Sequence, residues 1–134
     1  MTEENKRLMQ QVFEELAKGN SQALVEVLAD DVAWHVTGTT IFSKTYQGKE
    51  TLINELIGPL FAQFADQYTM TAERFIADGN YVVVECLGKV TTKTGLPYNN
   101  KYCLVFRIED KRIKEVTEYM DTQLVVKTFG GAGH

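Results

Sequence analysis

Residues 80–120, NYVVVECLGKVTTKTGLPYNNKYCLVFRIEDKRIKEVTEYM, decide the fold. Three runs rich in Val, Tyr, Phe and Ile stand in them, at 80–92, 98–109 and 112–120, and each reads as a strand. Thr94-Gly95-Leu96-Pro97 and Asp110-Lys111 supply the turns between them. Asp78-Gly79-Asn80 joins the first run to a fourth, 68–77 (YTMTAERFIA). Strands joined by short turns make an antiparallel meander.

A hairpin turning at Thr94-Gly95 sets Cys86 opposite Cys103 and Val84 opposite Val105 on one face. The other face then pairs Val83 with Phe106, Glu85 with Leu104, and Leu87 with Tyr102. Both faces are largely apolar, whereas an antiparallel sheet with one wet face alternates with polar residues. The extra apolar face needs a cover. With the helices on the other side, a second copy of the chain is expected there, giving a homodimer through the outer face of the sheet. The plainer alternative is a thiol pair beneath a loop or the C-terminal tail.

Upstream the pattern is helical. Leu8, Val12, Phe13 and Leu16 recur at helix spacing within 3–18, and Gly19-Asn20 is the stop. Ser21 opens a second, shorter helix through Ala29. Asp30 and Asp31 break it, Val32 to Val36 reads as a short strand, and Gly38 to Gln47 as a loop. Gly48 to Gln63 is a third helix, with Pro59 predicting a kink or break near Ile57 or Gly58. Asp121 to Phe129 reads as a short helix or an extended tail, and 130–134 as a flexible end. Helices followed by strands indicate an α+β fold. We expect one domain over 1–129, a cone in which three helices pack on a curved, mostly antiparallel sheet.

The formal net charge of −4 argues against a nucleic-acid partner, which calls for a basic stripe. No apolar run approaches the ~20 residues that span a bilayer. The polar start, MTEENKRLMQQ, is no secretion signal, so the reducing cytoplasm is the expected compartment and both cysteines are expected as thiols. Two histidines and two cysteines do not give zinc-site spacing, and no phosphate-binding glycine loop opens a helix, so neither metal nor cofactor is expected.

The order of elements resembles the nuclear transport factor 2-like superfamily, in its SnoaL-like and ketosteroid-isomerase-related branch. The residues that carry the likeness are LAKGN (16–20), LADDVAW (28–34), GKE (48–50), YVVVE (81–85), TGLPYNNKYCLVFRI (94–108) and RIKEVTEYMDT (112–122). The resemblance implies helices closing a curved sheet around a pocket, usually in dimers. It also implies activities such as isomerisation, polyketide cyclisation, dehydration or epoxide hydrolysis, or ligand binding alone. The steroid isomerase's base, tyrosine and protonated aspartic acid fall near Val36, Val12 and Leu104, so that apparatus is absent. The Arg-Asp-Asp set of limonene-type epoxide hydrolases has no counterpart either. Asp121 in YMDT is similar to the acid/base aspartate of polyketide cyclases.

Two carboxylates carry the functional signal. Glu118 sits between Val116 and Met120 on the buried face of its strand, and Glu85 between Val83 and Leu87. A carboxylate on a core face costs several kcal/mol unless paired, hydrogen-bonded or protonated. Both therefore point to a polar-lined cavity. Glu118 and Asp121 are the acid/base candidates, because an apolar site raises a carboxyl toward neutrality. The structural alternatives are an ion pair of Glu118 with Arg107 or Arg74 and a helix cap by Asp121. Lys89 or Arg74 is the expected partner of Glu85. Tyr98, Asn100 and Tyr102 share a strand face and offer donors to an oxyanion. Trp34, Val36, Leu104 and Met120 supply wall, and Phe42 and Tyr46 close the mouth from the loop. His35 points away from Trp34 by alternation. The expected function is a cofactor-free isomerase, cyclase or lyase acting on a small apolar carbonyl compound. A non-catalytic small-molecule binding or sensing domain and a pure interaction dimer are the alternatives.

Overall fold

In the computed structural model, which describes residues 2–130, the chain opens with α1 (Thr2–Ala17) and α2 (Gln22–Val27). Met9, Val12, Phe13 and Leu16 form the buried stripe of α1. α2 stops short of Ala29. Leu28 and Ala29 are instead buried at the head of β1 (Leu28–Val36). The register of β1 slips between Leu28 and Ala33, and this bulge leaves Asp30 and Asp31 both exposed. Asp31 pairs there with Lys114 at 3.1 Å, so the two aspartates are accommodated within a strand rather than ending a helix.

The segment read as a loop contains β2 (Thr45–Gln47), a short strand antiparallel to β1. The third helix follows in three pieces: α3 (Lys49–Leu52), a π turn (Ile53–Ile57) and α4 (Gly58–Phe61). Pro59 has no N–H to give the helical ladder, and the break expected from it takes the form of that π turn.

β3 (Thr69–Asp78), β4 (Tyr81–Lys89), β5 (Lys101–Glu109) and β6 (Arg112–Met120) complete the sheet, and α5 (Thr122–Phe129) follows. The strand order is β2-β1-β6-β5-β4-β3. β1 runs parallel to β6, and every other neighbouring pair is antiparallel. This is the expected α+β architecture, helices on one face of a curved, open, mostly antiparallel sheet. Of the tail expected at 130–134, all but Gly130 lies outside the described residues. Among those residues no helix is long and apolar enough to cross a membrane.

The β4–β5 hairpin differs from expectation by one residue. Val84 faces Leu104, Glu85 faces Cys103, and Cys86 faces Tyr102. Its loop holds three residues, 93–95, closed by the Thr92 N–H on the Leu96 carbonyl at 2.8 Å. Gly95 there has φ +85°, the left-handed backbone that a three-residue turn requires. A slip of one residue turns every side chain of a strand to the other face. Val82, Val84 and Cys86 are therefore buried under the helices, while Glu85 and Cys103 point outward. The cysteines lie on opposite faces and both are free thiols, so no thiol pair forms.

Candidate functional site

Between the helices and the inner face of the sheet lies a cavity of about 100 Å³. Leu16, Leu24, Val25, Leu56, Ile57, Leu60 and Phe61 close it from the helical side, with Ser21 at its edge. Trp34, Tyr68, Met70, Tyr102, Leu104 and Glu118 close it from the sheet. The walls are apolar except for one carboxylate and a few hydroxyls.

Strand parity puts that carboxylate there. Glu118 alternates with Val116 on β6 and lies between Val36 of β1 and Leu104 of β5. It is only half-buried by area because it opens onto the cavity. The Trp34 indole N–H donates to its Oε1 at 2.8 Å. Among the described residues no Lys, Arg or His lines the cavity. Removal from water raises the Glu118 pKa from 4.5 to about 7, and the Trp34 bond opposes this only in part. The alternative of an ion pair with Arg107 or Arg74 does not form, since those bond Glu115 (3.3 Å) and Glu85 (3.1 Å) on the outer face.

Beside Glu118 stands a cluster of phenols. Tyr102 donates to the Tyr98 hydroxyl over a long 3.4 Å, and Asn100 Nδ2 donates to the same oxygen at 3.1 Å. Asn100 also donates to the Asp121 carbonyl at 3.1 Å and accepts from the Asp121 N–H at 3.0 Å. Its amide is spent inside the protein, so it is no donor to a ligand. Tyr68 lies over Gly88: a Cβ at that position would stand 2.7 Å from the Tyr68 hydroxyl and 3.2 Å from the Tyr102 ring. The glycine is the notch that seats Tyr68 against Tyr102. Burial pushes the pKa of Tyr68, Tyr98 and Tyr102 above the ordinary phenol value.

Of the residues singled out in the sequence, Trp34, Tyr102, Leu104 and Glu118 line the cavity. Glu85 does not. The one-residue slip turns it outward, where Arg74 bonds it at 3.1 Å. Asp121 is exposed and caps α5, accepting from the Gln123 and Leu124 N–H groups at 3.0 and 3.2 Å. Phe42 and Tyr46 do not close the mouth. Tyr46 is buried with its hydroxyl on the Phe42 carbonyl at 2.8 Å, and Phe42 packs edge-on against Phe129. Val36, Tyr98, Asn100 and Met120 sit behind the wall in the core around it. His35 faces outward as alternation predicts, bonded to Glu115 at 2.7 Å. The helical wall, Met70 and Tyr68 are the cavity residues that sequence reasoning overlooks, and Tyr68 is the one phenol among them. Its signal is an aromatic heading a strand with Met70 alternating behind it, across from Gly88. Among the described residues no three His, Cys, Asp or Glu side chains gather as metal ligands.

A family model described as "SnoaL-like domain" matches residues 9–116. No curated protein matches the chain. An NTF2-like protein of unknown function from Burkholderia pseudomallei K96243 is similar in structure, with TM-score 0.78 and 21% identity over 92% of this chain and 95% of that one. A protein described as a SnoaL-like polyketide cyclase from Jannaschia sp. CCS1 has TM-score 0.78 at 15% identity, covering 96% of this chain and 93% of its own. TerC, co-crystallised with polyporic acid, has TM-score 0.75 at 17% identity, over 92% and 95%. At such identities the likeness establishes the fold.

Proposed function

This chain belongs to the SnoaL-like domain family, and on that premise we propose that its cavity is the active site of a cofactor-free proton-transfer enzyme. The reaction is of isomerase, cyclase or lyase type, on a small apolar compound carrying a carbonyl. One observation carries the reading: a carboxylate opens onto an apolar cavity with a single hydrogen bond and no counter-ion among the described residues.

An acid/base group works best when its pKa lies near the working pH. Glu118, at about 7, is ionised often enough at neutrality to take a proton from the carbon next to a carbonyl. The electron pair released moves onto the carbonyl oxygen. Tyr68, and Tyr102 once it gives up its long bond to Tyr98, are the phenols that would donate to that oxygen. Protonated Glu118 then returns its proton to another carbon, or the enolate carbon bonds to a second carbonyl carbon and the proton goes to the alkoxide oxygen that forms. A structural neighbour described as a polyketide cyclase supports the second course by analogy of fold.

The test is exchange of α-hydrogens for deuterium in a panel of small apolar ketones, followed by NMR. Wild-type protein exchanges at least one of them. Glu118→Gln, which keeps an acceptor for Trp34, loses exchange by about 100-fold or more. A protein that binds these ketones but never exchanges them is a binding domain on the same fold.

A further inference from the structure

Charge in this molecule is paired across the outer face of the sheet but not in the cavity. Outside, Arg74 meets Glu85, Arg107 meets Glu115, and Lys114 meets Asp31. Inside, Glu118 is the one carboxylate among the lining residues, with Trp34 as its hydrogen-bond donor and no basic side chain on any described wall. An ionised carboxylate taken out of water is normally matched by a positive group. Here the described walls supply none.

The surroundings suit a positive ligand. The rings of Trp34, Phe61, Tyr68 and Tyr102 line the space around the carboxylate, and aromatic faces attract cations. Tyr102 turns its proton to Tyr98, which leaves its lone pairs for a donor. A primary ammonium carries three N–H donors, and Glu118, Tyr102 and Tyr68 supply oxygen acceptors among the residues that line the cavity. The remaining walls are aliphatic and admit a small hydrocarbon group. A carboxylate or phosphate ligand is repelled by ionised Glu118.

We propose that the cavity binds small apolar primary amines in their protonated form, with Glu118 as counter-ion. This rests on the cavity being a ligand site, and not on proton transfer from carbon. An amine and a carbonyl compound occupy the same carboxylate and so compete. The other titratable groups that feel the Glu118 charge are Tyr46, Tyr68, Tyr98, Tyr102 and Cys86, all held above their ordinary pKa and uncharged around neutrality.

Benzylamine, benzyl alcohol and benzoate share one ring and differ in the head group. Their binding is read by calorimetry and by the fluorescence of Trp34, the single tryptophan of the chain. Near pH 8 benzylamine should bind about tenfold or more tightly than benzyl alcohol, and benzoate weakest. Below the Glu118 pKa of about 7, amine affinity should fall, approaching a factor of about ten per pH unit, with a proton released on binding. Glu118→Gln should erase the amine preference and keep alcohol binding. An amine no tighter than the alcohol near pH 8, or a preference that survives Glu118→Gln, overturns the proposal. Should the variant not fold, the pH dependence of the wild type decides alone: amine affinity that stays flat from pH 8 to pH 5 overturns the proposal. Ketone exchange that persists without amine preference sinks this inference alone. Absence of both exchange and alcohol binding sinks the cavity as a ligand site.

Discussion

Glu118 and Trp34 form the pair on which the proposed chemistry turns, and their bond makes the carboxyl measurable. A folded pKa raised from 4.5 to about 7 means that the folded state holds the proton more tightly than the unfolded chain. Stability from this group is therefore fully present below about pH 4.5 and is lost as pH rises through about 7. At about 1.4 kcal/mol per unit, the loss is roughly 3 kcal/mol. Glu118→Gln should be more stable than wild type by up to that amount near pH 8. The gain should shrink toward zero at pH 4, as followed by urea unfolding at both values. Trp34 emission should titrate near pH 7 in wild type and stay flat in the variant. An equal stability difference at both pH values contradicts a protonated buried Glu118. This residue was legible in the sequence because a carboxylate between Val116 and Met120 on a core face has no cheap explanation. The same logic misplaced Glu85, since alternation tells which residues share a face but not which face is covered.

At the scale of elements, the helices and the long strands were legible in their order, whereas β2, read as loop, and the register of one hairpin were not. Periodicity fixes a strand to within a residue or two. The face each side chain takes depends on whether the loop is odd or even. Gly95 takes the left-handed backbone of a three-residue loop, a choice that Thr94-Gly95 does not reveal by composition. The start of β1 was hidden for a related reason: Leu28 and Ala29 read as helix locally, and burial beside the sheet decides otherwise. α5 gives a direct test of what Asp121 does. Its carboxylate holds the first N–H groups of the helix, and Asn100 clamps its backbone on both sides. Asparagine caps as well as aspartate, so Asp121→Asn should keep stability within a few tenths of a kcal/mol and keep ketone exchange intact. Asp121→Ala should cost about 1 kcal/mol in urea unfolding. A collapse of exchange in Asp121→Asn with the fold intact would return Asp121 to the acid/base role that its position in the sequence suggested.

At the scale of the whole molecule, the sheet still has an outer face to account for. Correcting the register moves Glu85 and its Arg74 onto it, yet Ile76, Tyr81, Leu87 and Tyr119 remain exposed there. Val83, Cys103, Val105 and Thr117 lie half-buried among them. Every described helix packs on the opposite face or beyond the sheet's end, so nothing among the described residues covers this one. These apolar side chains, left exposed between the ion pairs of an uncovered sheet face, are what an interface would cover. We propose that a second copy covers it, and Cys103 reports the event. Cys86 is fully buried and its thiol is pushed up to about 12, so it stays silent toward thiol reagents. Cys103 points outward from the centre of the patch, opposite Tyr119. Its reaction rate should fall as protein concentration rises into the micromolar range, in step with sedimentation at twice the mass of one chain. Tyr119→Lys places a charge at that centre without touching the cavity. It should give a folded monomer whose Cys103 reacts at one rate at every concentration. Wild-type protein that sediments as a monomer through the micromolar range, with Cys103 indifferent to dilution, would leave the outer face as ordinary surface and the cavity as the single functional feature of the fold.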